Sequence, residues 1–124
     1  MNTKQAIDAL GALAQETRLA IFRMLVEAGP EGLPAGVIAE RLGVPASSLS
    51  FHLAHLTRAG LLVQRRASRL LIYSADFDGM NRLLGYLTEN CCGGDRSACA
   101  PACADASSAD ERAPSRRRTN AGAA

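Results

Sequence analysis

Between residues 41 and 75 the chain has no Asp and no Glu. The same stretch carries Arg41, Arg58, Arg65, Arg66 and Arg69, a local charge of +5. Residues 1–40 hold three basic and five acidic side chains, so the net charge of +2 hides this asymmetry. A basic block with no counter-charge is the electrostatic footprint of a nucleic-acid surface. Cysteine is absent from the first 90 residues. No apolar run approaches the ~18 residues that a membrane helix needs. The first residues, Met-Asn-Thr-Lys-Gln, lack the apolar region of a secretory signal. A cytoplasmic protein with reduced thiols and no membrane contact is therefore expected. Beyond Gly93 there is no aromatic and no large aliphatic residue. Such a segment cannot bury a core. The 124 residues thus divide into one expected domain, 1–92, and a Cys-containing tail, 93–124, expected to be flexible and mostly disordered.

The stretch from Pro45 to Gly60 organises the domain. At about 100° per residue, Leu49, Leu53 and Leu56 fall within about 60° of one another and make a core stripe. Ser47, Ser48, Phe51, His55 and Arg58 lie on the other side. That face has hydroxyls, a ring, an imidazole and a guanidinium but no carboxylate. It can approach a polyanion and still offer hydrogen bonds and an apolar contact to base edges. Pro45 suits a helix start and Gly60 a helix stop. Residues 34–42 read as a short helix and Gly43-Val44 as a tight turn. Helix, Gly-containing turn, helix is the helix-turn-helix pattern, with 45–59 as the DNA-reading helix.

Around it the spacing predicts a mainly α fold with a small β-hairpin. Thr3 can cap a helix to about Ala14, with Ile7, Leu10 and Leu13 on one side. Thr17 can cap the next, to about Ala28, with Leu19, Phe22, Leu25 and Val26 as its core face. Strands at 61–66 and 70–74 around Ala67-Ser68-Arg69 form a wing, whose Arg65, Arg66 and Arg69 can reach phosphates. Asp76 can cap a last helix to about Asn90, in which Gly79 and Gly85 each cost up to ~1 kcal/mol relative to Ala. Apolar stripes on the first and last helices (Ile7, Leu10, Leu83, Leu84, Leu87) point to a homodimer with two-fold symmetry.

All four cysteines, Cys91, Cys92, Cys99 and Cys103, fall within thirteen residues. Adjacent cysteines seldom bridge each other. Gly93-Gly94 would let the tail fold back so that three thiolates converge on one soft ion. No His lies nearby, which disfavours a mixed zinc site, and the spacing is poor for a zinc ribbon. A four-thiolate zinc site and a disulfide switch remain alternatives.

Ala14-Gln-Glu-Thr-Arg-Leu19, Ser50-Phe-His-Leu53 and the hairpin into Tyr73 resemble the ArsR/SmtB family of metal-responsive repressors, over residues 5–92. The resemblance implies a homodimeric winged helix-turn-helix on an inverted-repeat, double-stranded operator, released when an inducer binds. It also implies DNA contacts from Ser50 and His52. Arsenic-sensing members with Cys-x-Cys at the start of the first helix of the helix-turn-helix would ligate at Pro34 and Gly36, which cannot do so. Zinc members use His and Asp pairs on the last helix; here Asp76, Asp78 and Glu89 stand without a His. Glu89-Asn-Cys-Cys92 with a further cysteine resembles the arsenite-responsive subgroup. That resemblance implies trivalent arsenic, or antimonite, as inducer, with no organic cofactor. Its ligands would be Cys91, Cys92 and Cys99, with Cys103 able to replace Cys99. The metalloid would tie the tail to the last helix and respace the two reading helices. A redox-switch or zinc-responsive repressor of the same fold is the alternative. An enzyme, such as a thiol reductase, is not expected, because there is no Cys-x-x-Cys and no βαβ framework.

Overall fold

The computed structural model describes residues 1–94. The chain divides after Leu83 into two contact units, and 84–94 are the described part of the second. Five helices and a three-stranded antiparallel sheet follow in the order α1 (Thr3–Leu13), α2 (Glu16–Ala28), β1 (Leu33–Pro34), α3 (Ala35–Leu42), α4 (Ala46–Arg58), β2 (Leu62–Ala67), β3 (Leu70–Ala75) and α5 (Phe77–Leu87). A mainly helical winged helix-turn-helix is thus the fold.

Local chemistry sets the helix starts, though not always at the expected residue. Asn2, not Thr3, caps α1. Its Oδ1 accepts from the Gln5 N–H at 2.8 Å, and the Gln5 Oε1 accepts from the Asn2 N–H at 2.9 Å, a reciprocal capping box. Gln15, not Thr17, caps α2, accepting from the Arg18 N–H at 2.9 Å. The Asp76 cap is as expected: Oδ1 accepts from the Gly79 N–H at 3.0 Å. The last helix is shorter than its apolar spacing suggested. It ends at Leu87 and a single tight turn, Cys91–Gly94, follows.

Leu49, Leu53 and Leu56 are buried, as their spacing demands, and meet Ile21, Leu25, Ile38, Leu61 and Leu62 in the core. The inner face of α1 is instead Ala6, Ala9 and Ala12. Short side chains let its backbone lie close, and Ile7 and Leu10 turn outward, 61% and 42% exposed. On α2, Ile21 takes the inward place and Leu19 is exposed.

The sheet has a strand that the pattern did not reveal. Leu33 pairs with Tyr73 and Pro34 with Ile72, so β3 is central. Proline is tolerated there because β1 is an edge. Gly32 leads into it at φ 72°, and a Cβ at that position would overlap the Tyr73 carbonyl. The hairpin register runs from Leu62↔Ala75 to Ala67↔Leu70. It leaves Ser68-Arg69 as a two-residue loop, with Ser68 at φ 60°. Leu61, Leu62, Ser74 and Ala75 anchor the base of the wing, while Val63 to Arg66 and Ser68 to Leu71 stand in solvent.

Candidate functional site

Gly43 ends α3 in the left-handed conformation (φ 68°, ψ 33°), which turns the chain sharply into α4. Pro45 precedes α4 with extended backbone and no side-chain cap, so the first N–H groups of the helix carry no capping oxygen. Ala46, Ser47, Ser48, Ser50 and Phe51 are exposed around this end. Phe51 is 61% exposed, although a phenyl ring is costly to leave in water. Its ring meets His52 edge-on at 5.7 Å and His55 at 6.3 Å between centroids.

The two histidines differ from one another. His52 is half-buried, and its Nδ1 lies 3.3 Å from the Arg18 NH1. His55 was expected on the outer face. It is half-buried instead, with a buried Nδ1 that has no hydrogen-bond partner. Burial first, and then the charges of Arg18, Arg58 and His52, hold its pKa below the ordinary imidazole value. The charged form of the ring beside Phe51 is thus disfavoured.

All five arginines of the basic block are exposed, and among the described residues none is paired with a carboxylate. They fall into different settings. Arg66 and Arg69 stand on the wing. Arg65 stands there too, with its NH2 donating to the Glu31 carbonyl at 2.9 Å, which ties the wing to the loop before β1. Arg58 is at the far end of α4 and lines a groove of about 190 Å³ with Asp8 and Arg82. Its neighbourhood is α1 rather than the Ser47–Phe51 end.

Arg18 went unrecognised as a site residue in the pattern of charges. Its Nε donates to the Ala12 carbonyl at 2.6 Å and its NH1 reaches His52, so the Thr-Arg-Leu and Ser-x-His-Leu runs meet in space. The presence of both motifs in one chain was the available signal; their 34-residue separation hid the contact.

Of the apolar residues expected between subunits, Ile7, Leu10, Leu84 and Leu87 are exposed. Leu83 is not: at 6% exposure it belongs to the core of the protomer. Cys91 is half-buried and Cys92 exposed, with their sulfurs 3.5 Å apart. Cys99 and Cys103 lie outside the described residues. No helix among the described residues is long and apolar enough to cross a membrane.

A helix-turn-helix domain model matches residues 13–65. The nodulation protein NolR of Rhizobium meliloti is 34% identical over 84 residues, 68% of this chain and 66% of its own length, slightly under two thirds. The HTH-type transcriptional regulator YgaV of Escherichia coli is 31% identical over 91 residues, 73% of this chain and 90% of its own. Among solved structures, an ArsR-like transcriptional regulator from Rhodococcus superposes with a TM-score of 0.64 at 26% identity, covering 76% of this chain and 86% of that one. YgaV and the Rhodococcus protein are transcriptional regulators rather than enzymes. An uncapped α4 beside a basic wing, on the helix-turn-helix that they share, leaves one conclusion: the chain belongs to the ArsR/SmtB-type family of winged helix-turn-helix transcriptional regulators.

Proposed function

We propose that this regulator is an arsenic-responsive repressor that binds operator DNA as a homodimer and releases it when trivalent arsenic, or antimony, binds its C-terminal thiolates. The observation that carries the inducer is the Cys91–Cys92 pair, with sulfurs 3.5 Å apart. Thiolates bound to one metal at about 2.3 Å, with angles of about 90–110°, stand roughly 3.3–3.8 Å from each other. The pair is thus already spaced to grip a single soft ion. Two sulfurs leave a trivalent, pyramidal centre one bond short. Cys99 supplies the third, with Cys103 as its substitute.

On DNA, the Ser47–His52 end of α4 meets base edges in the major groove. Arg66 and Arg69 hold the backbone from the wing. Ile7, Leu10, Leu84 and Leu87 supply the apolar contact between protomers, which fixes the distance between the two α4 helices. A dimer reading two half-sites tolerates little change in that distance. Inducer bound at the end of the last helix acts through this spacing. The test is X-ray absorption at the arsenic edge on the arsenite-loaded chain. Three As–S bonds in the wild type and fewer in Cys91→Ser are expected. An oxygen-only shell around arsenic would refute the site. Release by peroxide, with no response to arsenite, would transfer the function to thiol oxidation.

A further inference from the structure

One side chain joins the reading helix to the junction of α1 and α2. The Arg18 backbone N–H is held by Gln15, its Nε donates to the Ala12 carbonyl at 2.6 Å, and its NH1 lies 3.3 Å from the His52 Nδ1. The guanidinium is therefore anchored at its Nε, on a backbone itself held by Gln15, before its terminal nitrogen reaches the histidine. A guanidinium has five donors and no acceptor. The His52 Nδ1 must then be the acceptor of this bond, which leaves the proton of the neutral ring on Nε2. The Phe51 ring, edge-on at 5.7 Å, borders the same imidazole.

We propose that Arg18 is a positioning residue that locks His52 as the Nε2–H tautomer, making His52 a reader of hydrogen-bond acceptors on DNA. This rests on the reading of α4 as the DNA-reading helix. The tautomer selects the base. An outward N–H donates to purine N7, guanine O6 or thymine O4, whereas an outward bare nitrogen would instead accept from the amino groups of adenine or cytosine. Arg18 thus contributes to sequence choice without touching the duplex.

Ring ¹⁵N NMR on the full chain, free of DNA, tests the lock. The expected spectrum has a protonated Nε2 and a bare Nδ1 for His52 in the wild type. In Arg18→Gln the two tautomers should mix. A bare Nε2 in the wild type, or an unchanged spectrum in a folded Arg18→Gln, would overturn the proposal. A second pair of variants covers the case in which Arg18→Gln does not fold. His52 is half-buried, and Asn and Gln place their amides near the Nδ1 and Nε2 positions respectively. On a duplex obtained by in vitro selection, His52→Gln should bind within a few-fold of the wild type. His52→Asn should lose about 5- to 150-fold, the effect of one base contact. Equal affinity of wild type and His52→Asn would overturn the claim that His52 reads an acceptor. Normal binding by both Ser47→Ala and Phe51→Ala would overturn the role of α4 itself, while the NMR result still tests the Arg18 bond.

Discussion

Replacing Gly79 by Ala should destabilise the protein, although helix propensity alone says the reverse. In an ordinary helix Ala is favoured over Gly by about 0.5–1 kcal/mol. Gly79 is buried, and a Cβ added there would overlap the Gly60 carbonyl oxygen, with the Gly60 carbonyl carbon and the Asp76 Cγ both at 3.3 Å. Neither neighbour can retreat easily. The Gly60 N–H is bonded to the Thr57 carbonyl at 3.0 Å, Leu61 to Leu56 at 3.1 Å, and the Asp76 N–H to the Leu61 carbonyl at 2.8 Å. The Asp76 carboxylate is also the cap of α5. Forcing a methyl into a packed site costs about 1–3 kcal/mol, more where backbone must move. After the propensity gain, a net loss of about 1–2 kcal/mol remains. For a domain of this size that corresponds to a melting point lower by roughly 4–8 °C per kcal/mol. Gly36→Ala is the matched control. Gly36 is exposed on α3 with nothing within 4 Å of an added Cβ, so it should gain up to ~1 kcal/mol. Urea melts at one fixed protein concentration measure both. A Gly79→Ala variant as stable as the wild type would refute the close approach of α5 to the end of α4.

Phe51→Ala should leave stability within about 0.5 kcal/mol, as surface changes do, yet weaken operator binding by about 5- to 150-fold; anisotropy titration and urea melts on the same sample separate the two effects. Arg66→Ala and Arg69→Ala should each weaken specific and non-specific DNA alike and lower the salt slope by about one, whereas Arg65→Ala should also loosen the loop at Glu31, to which its guanidinium is bonded. Leu84→Glu, at a position 40% exposed in the protomer, should yield folded monomers in sedimentation velocity and lose the operator. His55 has a folded pKa below 6.5, so its contribution is complete above the unfolded value and declines as pH falls through the folded one. Urea melts across that range should show a decline that His55→Gln reduces.

The stripe of Leu49, Leu53 and Leu56 was legible because three long aliphatic side chains recur at helical spacing and the opposite face is polar. The helix-turn-helix and the wing followed from it and from the arginines with no counter-charge. The inner face of α1 was not legible. Ala6, Ala9 and Ala12 carry little hydrophobic signal, and the louder Ile7–Leu10 pattern belongs to the outside. Strand β1 is two residues long and exists through pairing with Tyr73 and Ile72, some forty residues away. No local pattern encodes that. The Arg18–His52 contact was hidden for the same reason, and so was the partial burial of His55: periodicity gives a side chain its direction but not what arrives to cover it. Leu83 and Leu84 are neighbours in sequence with opposite fates, one in the core and one exposed. A helical stripe wide enough to serve both could not tell them apart.

The most direct test of arsenic-responsive DNA release is an arsenite titration of the protein–operator complex, followed by fluorescence anisotropy, for the wild type and for the Cys91→Ser, Cys92→Ser double variant. Both proteins should bind the operator equally, because neither cysteine lies in the 45–69 stretch proposed to read it. Arsenite should then release the wild type and leave the double variant bound. Release of the double variant by arsenite, or a wild-type complex indifferent to it, would contradict the assignment.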